Sequence, residues 1–154
     1  MGRKKTYLPP KKSVGYQIRA THRAFNRILG VLLAEHDLTP AQWFFLRALW
    51  EKDGVSQREL SQTMGLTEPT TVAALRVMER RKLIFRRRDP NDRRRIGVFL
   101  SGKGRALRER LSDIPRLANE AGIRGETAED IDALLTILIR IRNRVEAAVR
   151  EATR

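Results

Sequence analysis

The sequence predicts a mainly α-helical fold that carries a single β-hairpin. Apolar residues recur at helical spacing near both ends of the chain. Between them, residues 56–81 contain a short helix, a turn with glycine and a longer helix, which is the helix-turn-helix pattern. The apolar period then changes to two, as expected for paired strands. We therefore expect a winged helix-turn-helix with a two-stranded β wing and long helices at both termini.

Periodicity and capping residues mark the first two helices. A long first helix is predicted from residue 14 to about residue 35, where the stretch 37–39 interrupts the apolar period. Thr39 can accept hydrogen bonds from free N–H groups, Pro40 fits a first helical turn, and Gln42 can close a capping box. The second helix is therefore predicted from residue 40 to about residue 51.

The helix-turn-helix is bounded by two further caps. Ser56 and Glu59 have the spacing of a capping box, which begins a third helix that ends near Met64. Residues 65–67 form the turn, and Thr67 can cap a fourth helix that ends near residue 81. One side of this fourth helix is apolar and is expected to pack inward, through Ala74, Leu75 and Met78.

The wing follows directly after Leu83. Ile84 and Phe85 begin one strand, residues 89–92 are dense in turn formers, and the alternation around Val98 predicts a half-buried return strand. Six arginines lie at or near the tip: Arg86, Arg87, Arg88, Arg93, Arg94 and Arg95. Asp92 is placed to brace the Arg94 guanidinium.

Two more helices complete the chain. The fifth is predicted as one helix over residues 102–121 behind Ser101, and the sixth runs from Thr127 to the end. The sixth helix carries a long apolar stripe of Ile131, Leu134, Leu135, Leu138, Ile141, Val145 and Val149. Much of this stripe exceeds what packing on the winged helix needs, which favours a contact between subunits. The alternative is an ordinary core stripe within one chain.

The net charge of +14 is concentrated in two segments. Residues 1–12 hold five basic residues and no acid, while residues 80–95 hold nine basic residues and two acids. Concentrated cationic patches indicate a polyanionic partner, most simply nucleic acid, although the plain alternative is a solvated charged tip. The candidate DNA-binding residues are Thr67, Glu68, Pro69, Thr70, Ala73, Arg76 and Arg80 on the fourth helix, and Arg88, Arg93, Arg94 and Arg95 on the wing.

Several other classes of protein are disfavoured. No stretch approaches the ~18 apolar residues of a membrane span, and the basic N-terminus has no apolar run behind it, so we expect a cytoplasmic protein. There are no cysteines and only two histidines, which argues against disulfides, thiolate zinc sites and metal sites in general. We find no nucleophile–base pair, paired carboxylates or phosphate loop, and we expect neither an enzyme nor a cofactor.

Four stretches resemble the multiple-antibiotic-resistance regulator (MarR) family of bacterial transcription factors. They are residues 38–43 (LTPAQW), 60–66 (LSQTMGL), 78–84 (MERRKLI) and the wing, 89–95 (DPNDRRR) running into 98–101 (VFLS). The resemblance covers residues 14–150. Two positions depart from it, because the family often has glycine where Lys82 stands and a polar or basic residue where Ala73 stands.

The resemblance implies a homodimer that reads a palindromic operator in double-stranded DNA. Residues 13–38 and 101–154 would form the helical dimerisation region, and residues 39–100 the DNA-binding winged helix-turn-helix. Residues 1–12 are expected to be a basic mobile arm, and whether the arm touches DNA stays open. We expect a sequence-specific transcriptional regulator that acts as a repressor. The alternative is a non-specific architectural DNA-binding protein.

The family commonly responds to a small aromatic acid, which the resemblance places beside the first and second helices. The candidate ligand-binding residues there are Arg23, Trp43, Arg47, His22 and Tyr16. An indole beside guanidinium groups suits an aromatic carboxylate, or a larger anion such as an acyl-CoA. The alternative is that Trp43 belongs to the core and the arginines to the surface. The lack of cysteine argues against the peroxide-sensing branch of the family.

Overall fold

A computed structural model describes residues 7–88 and 96–154 of the chain. The helices in this part are α1 (Val14–Ala34), α2 (Pro40–Glu51), α3 (Gln57–Met64), α4 (Glu68–Arg80), α5 (Gly102–Arg110), α6 (Ile114–Ile123) and α7 (Ala128–Ala152). The strands are β1 (Val55–Ser56), β2 (Ile84–Arg88) and β3 (Ile96–Leu100). The predicted mainly helical fold with a winged helix-turn-helix is confirmed.

The capping residues begin the helices where the sequence predicts. The Thr39 hydroxyl accepts a hydrogen bond from the Gln42 N–H at 3.2 Å, and the Gln42 side chain accepts one from the Thr39 N–H at 3.1 Å, which completes the capping box. Ser56 and Thr67 accept in the same way from the N–H groups three residues ahead, at 3.1 and 3.4 Å. The helix-turn-helix is therefore fixed by local hydrogen bonds at both of its starts.

The sheet has three strands, in the order β1-β3-β2, with both pairs antiparallel. Val55 of β1 pairs with Val98 of β3, and Arg86 of β2 pairs with the same residue from the other side. The two-stranded wing expected from the sequence therefore gains a short third strand at its base. β1 has only two residues, so it is too short to show an alternating pattern.

The core lies beneath α4 and between α2, α3 and the sheet. Leu75 and Met78 of α4 have no exposed surface, which confirms the inward face predicted for this helix. They join one cluster with residues of α1, α2, the strands and α5; its fully buried side chains include Leu33, Leu46, Leu49, Leu60, Leu83 and Val98. The continuous cluster fixes α4 against the rest of the winged helix.

Two turns around α4 require a left-handed backbone. Gly65 ends α3 with a φ of 61°, which glycine adopts at no steric cost. Lys82, just after α4, has a φ of 57°, where a side chain is strained. This is the position where the MarR resemblance leads one to expect glycine, so the departure noted in the sequence falls on a residue that carries backbone strain.

The prediction of a single fifth helix over residues 102–121 is wrong, because the structure has two helices there, α5 and α6. Residues 111–113 form a turn between them. The cause is Pro115, which has no N–H to donate to the Leu111 carbonyl and whose ring would clash with it in a continuous helix. The Ile114 N–H instead donates to the Leu111 carbonyl at 3.2 Å. Apolar residues keep helical spacing across the break, so the apolar pattern alone predicts one continuous helix.

The chain divides into two compact units, one ending at Ala118 and the other spanning Asn119–Arg154. The first unit holds α1 and α5 together with the winged helix, because Leu29 and Leu33 of α1 and Leu107 of α5 belong to the same core. This division differs from the expected one, which grouped residues 13–38 and 101–154 apart from 39–100. The predicted role of those helices in dimerisation does not depend on where the core boundary falls.

The ends of the chain differ in character. Within the predicted arm, Pro10–Lys12 form one 3-10 turn, and the Gln17 side chain of α1 donates to the Lys11 carbonyl at 3.3 Å; residues 1–6 lie outside the described part. α7 spans 25 residues, and none of them is buried.

Over residues 7–88 and 96–154, none of the helices combines the length and the hydrophobicity that crossing a membrane requires.

Gly104 should be the least replaceable glycine of α5. It is buried, its carbonyl accepts from the Trp50 indole at 2.9 Å, and a Cβ built there would collide with the Leu83 carbonyl. Gly104→Ala should lower the free energy of unfolding by about 1–3 kcal/mol, measured by urea unfolding at fixed protein concentration.

Gly102→Ala in the same helix is the matched control, because a Cβ there meets nothing within 4 Å. We expect this variant to be as stable as the parent, or slightly more stable. Equal losses in the two variants would contradict the close approach of α5 to residue 83.

Candidate nucleic-acid interface

The outer face of α4 is open to solvent. Thr71, Leu75 and Met78 point inward and have no exposed surface. The candidate DNA-binding residues of this helix and its cap are all exposed: Thr67, Glu68, Pro69, Thr70, Ala73, Arg76 and Arg80. Pro69, Ala73, Arg76 and Arg80 share the face opposite the buried one, while Thr67, Glu68 and Thr70 lie at the exposed N-terminal end of the helix.

The first turn of α4 is held by its own side chains. The hydroxyls of Thr67 and Thr70 lie 2.8 Å apart and share a hydrogen bond, while Pro69 occupies an early position where no N–H is needed. Threonine, proline and alanine are short, so they leave the helix backbone free to approach a flat or grooved partner. The positive end of the helix dipole lies in this same turn.

The arginines of the wing have three different environments. Arg86 is half-buried and pairs with Glu79 of α4. Arg87 is exposed, and its guanidinium lies 5.0 Å from the centre of the Phe99 ring. Arg88 is exposed at the end of β2. The predicted candidates Arg93, Arg94 and Arg95, together with the expected brace from Asp92, lie outside the described residues.

The contact between Glu79 and Arg86 uses both oxygens of the carboxylate. Oε2 accepts from the Arg86 Nη2 at 2.6 Å and from Nε at 3.1 Å, and Oε1 accepts from the Arg86 backbone N–H at 3.1 Å. The third guanidinium nitrogen, Nη1, donates to the Gln57 side chain of α3 at 3.2 Å. Hydrogen bonding from Arg86 holds the pKa of Glu79 below its ordinary value, against a smaller opposing effect of burial.

An aromatic stack covers the outer face of the wing. The rings of Phe85 and Phe99 have centroids 5.4 Å apart and planes within 13° of parallel. Gly97 makes room for it, because a Cβ there would lie 2.8 Å from the Phe99 ring. Phe99 in turn lies beneath the Arg87 guanidinium, so the stack holds one cation on the outer face of the hairpin.

A cavity of about 200 Å³ lies beside α2 in the first unit. It is lined by Trp43, Arg47, Trp50, Glu51, Arg108, Leu111, Ser112 and Pro115. The Arg47 guanidinium lies 4.9 Å from the centre of the Trp43 ring, which is a cation–π distance. The indole Nε1 of Trp43 is buried and has no hydrogen-bond partner in the described part of the chain.

The ligand candidates of the sequence stand in two separate places. Trp43 and Arg47 line the cavity, whereas Arg23, His22 and Tyr16 are exposed on α1 and do not. His22 instead shares a hydrogen bond with Asn26 at 2.9 Å. None of these three α1 residues is among those that line the cavity, and their part in ligand binding stays a prediction. The wall opposite α2 comes from α5 and the turn before α6, which the sequence predicts as parts of one long helix.

Two functional features escaped the sequence analysis. The Glu79–Arg86 pair joins a residue of α4 to a residue of β2 across the turn between them, so neither the helical period nor the strand period predicts the contact. Arg108 and Trp50 reach the cavity through tertiary packing alone. Among the residues that the structure describes, no group of three histidine, aspartate or glutamate side chains is placed to hold a metal ion.

These features define a winged-helix protein with an exposed face on α4, and comparison with known proteins gives its family. The MarR family model matches residues 36–95. The chain is 33% identical over 132 residues to the HTH-type transcriptional regulator TtmR of Methylorubrum extorquens, covering 86% of this chain and 67% of that protein. The organic hydroperoxide resistance transcriptional regulator of Bacillus subtilis is 27% identical, over 80% of this chain and 82% of its own length.

Solved structures agree with this relationship. The repressor CouR, bound to a 23-mer DNA duplex, is 29% identical with a TM-score of 0.78, over 89% of this chain and 99% of that one. The regulator SlyA has a TM-score of 0.80 at 21% identity, over 86% and 94% of the two chains, and shares the fold. The chain belongs to the MarR family of transcriptional regulators.

The Glu79 carboxyl should titrate below the usual range of glutamate, and Arg86→Ala should return its pKa towards the ordinary value. A lowered pKa in the folded state means that the pair stabilises the fold at neutral pH. This contribution is lost as the pH falls through the pKa of the folded protein. Carboxyl NMR titration measures the shift directly, with Arg87→Ala as the control that leaves it in place. An identical Glu79 pKa in the parent and in Arg86→Ala would contradict the pairing.

Proposed function

We propose that this regulator binds double-stranded DNA with α4 in the major groove and the wing along the neighbouring minor groove. The exposed outer face of α4 is the observation that carries the proposal, because it is the only side of that helix free of core contacts among the described residues. A helix fits the major groove of B-DNA, and arginine suits the negative potential of a narrow minor groove. CouR and MepR, at 29% and 25% identity, are relatives of known structure bound to DNA.

Each candidate residue has a role in this arrangement. Thr67, Glu68 and Thr70 in the first turns of α4 meet base edges, and Pro69 and Ala73 let the backbone approach. Arg76 and Arg80 bind phosphates or guanine further along the groove. Arg88 binds from the far end of β2, and the sequence assigns Arg93, Arg94 and Arg95 to the tip of the wing. Charge on these side chains gives binding a steep salt dependence.

The protein acts as a homodimer in this proposal, with α7 in the contact between copies. Large apolar side chains of α7 are strongly exposed, including Leu134 at 50%, Leu135 at 53% and Val145 at 58%. A stripe of this length is costly in water, and a second copy of the same helix would cover it. Twofold symmetry then presents two α4 helices to a palindromic operator.

The cavity beside α2 is proposed to bind an aromatic anion that alters DNA affinity. Trp43 offers an aromatic wall, while Arg47 and Arg108 supply positive charge. A small aromatic acid is of a size to lie within the cavity, whereas a larger anion such as an acyl-CoA would extend out of it. BpsR of Bordetella bronchiseptica has its DNA binding regulated by 6-hydroxynicotinic acid, and at 23% identity it shares the fold. A ligand that favours the non-binding state would release a repressor from its operator.

A second candidate is a non-specific architectural role, which the net charge of +14 favours. Such a protein would use the same cations on phosphates and would bind random DNA as tightly as any promoter. The two functions differ in the ratio of specific to non-specific affinity at physiological salt.

Footprinting on the DNA immediately upstream of this reading frame tests the proposed function. We expect one palindromic protected site, with half-sites about one helical turn apart, because two symmetric α4 helices read successive turns. Random duplex at the same salt is the control. Uniform protection of both DNAs would favour the architectural role, and no protection of either would contradict DNA binding.

Ligand binding is measurable through intrinsic fluorescence, because both tryptophans of the chain line the cavity. Titration with simple aromatic acids should quench this fluorescence, and Arg47→Ala should weaken the best binder by about tenfold, the value of one charge-assisted hydrogen bond. Arg23→Ala, on α1, is the matched control and should bind as the parent does. Equal weakening by both substitutions would move the site to the α1 side, and no quenching would contradict an aromatic ligand here.

A further inference from the structure

One face of the wing packs towards the protein, although the wing sequence is rich in arginine. Along β2, alternate side chains point to opposite faces of the sheet. Phe85 and Arg87 meet Phe99 on the outer face, while Arg86, between them, turns to α4 and binds Glu79. The Arg86 guanidinium therefore donates its hydrogen bonds to Glu79 and Gln57 within the protein. Arg88, two residues further along the strand, is exposed.

We infer that Glu79 and Arg86 are positioning residues that fix the wing relative to α4 and so set the affinity of the protein for DNA. The inference rests on the proposed function, because it concerns the geometry with which α4 and the wing meet one duplex together. Neither residue is assigned a contact with DNA. Their role is to hold the wing, which makes the contact with DNA.

The geometry supports this role because one carboxylate holds both the backbone and the side chain of β2. β2 is an edge strand of the sheet, and the Arg86 N–H on its open edge donates to Glu79 Oε1 at 3.1 Å. The guanidinium contacts Oε2 twice and also donates to Gln57. Three elements, α3, α4 and β2, therefore meet at one guanidinium, which limits both sliding and tilting of the hairpin against α4.

The Glu79–Arg86 pair would affect DNA affinity through the position of the wing and not through its own charge. The side chains of Arg86 and Glu79 are 22% and 36% exposed, so the pair is only partly screened by water. Opposite charges in contact contribute little net field at the DNA-facing surface. A simple charge argument therefore predicts that removing the acid Glu79 strengthens DNA binding, because it removes a negative charge from a cationic surface. The positioning role predicts the opposite sign.

Equilibrium binding to the upstream duplex and to a random duplex, measured over a range of salt concentrations, separates the two outcomes. We expect Glu79→Ala and Arg86→Ala each to weaken binding by about tenfold while leaving the salt slope unchanged, because no phosphate contact is lost. The double variant should bind like either single one, since both break the same pair. Arg88→Ala is the matched control and should weaken binding with the slope reduced by about one.

Two results would overturn the inference. One is binding by Glu79→Ala that equals or exceeds that of the parent. The other is a reduced salt slope in Arg86→Ala like that of Arg88→Ala, which would make Arg86 a phosphate contact. Glu79→Gln keeps an oxygen for the Arg86 N–H and serves if the alanine variant folds poorly. It should bind DNA with an affinity between those of the parent and Glu79→Ala.

Amide hydrogen exchange without DNA separates this inference from the proposed function. In Glu79→Ala, the amides of residues 85–88 and 96–99 should exchange faster than in the parent, while those of α2 stay unchanged. If the parent binds neither duplex, the proposed function fails, and exchange still decides whether the pair holds the wing. Unchanged exchange in the wing would overturn the positioning role whatever the DNA result.

Discussion

Complete burial of one face of α4 is the constraint on which the rest of the molecule depends. Thr71, Leu75 and Met78 have no exposed surface, and burying each large apolar side chain stabilises the fold by about 1.5–3 kcal/mol. Rotating α4 by a single residue would expose this face and bring Arg76 towards the core, at a prohibitive desolvation cost. The core therefore decides which side of α4 is available to a partner, and it leaves there a surface of short side chains followed by cations.

The hairpin is tied to this helix on its inner face and braced within itself on its outer face. On the inner face, the Glu79 carboxylate receives the backbone and guanidinium of Arg86, and on the outer face Phe85 stacks on Phe99. β1 adds a third strand at the base through its pairing with β3. These contacts are the ones on which the inferred positioning role of Glu79 and Arg86 rests. The arginines of the wing thus divide between holding the structure and facing solvent.

Features with a local cause were predictable from the sequence. Helix starts at Thr39, Ser56 and Thr67 follow from side chains that satisfy nearby N–H groups, and the two faces of α4 follow from its apolar spacing. Membership of the MarR family, indicated by four short stretches, is confirmed over residues 36–95 by the family model. These signals are all contained within a few consecutive residues, which is why they were readable.

Features that depend on distant packing were not predictable. The break before α6 depends on Pro115, whose effect was masked by apolar residues that kept helical spacing across it. The cavity beside α2 likewise depends on tertiary packing, which brings Arg108 of α5 to the same cavity as Trp43 and Arg47. In the same way, nothing in a run of arginines indicates that Arg86 has a carboxylate partner on the preceding helix.

The absence of native cysteines permits a direct test of where DNA lies. An iron chelate attached to Ala73→Cys, on the outer face of α4, generates radicals that cut DNA near the attachment point. If α4 occupies the major groove in a symmetric dimer, cleavage should fall at two clusters related by the operator dyad, one within each half-site. The same chelate on Ala24→Cys, exposed on α1, should cut weakly. Stronger cleavage from Ala24 than from Ala73 would contradict the assignment of α4 as the DNA-reading helix.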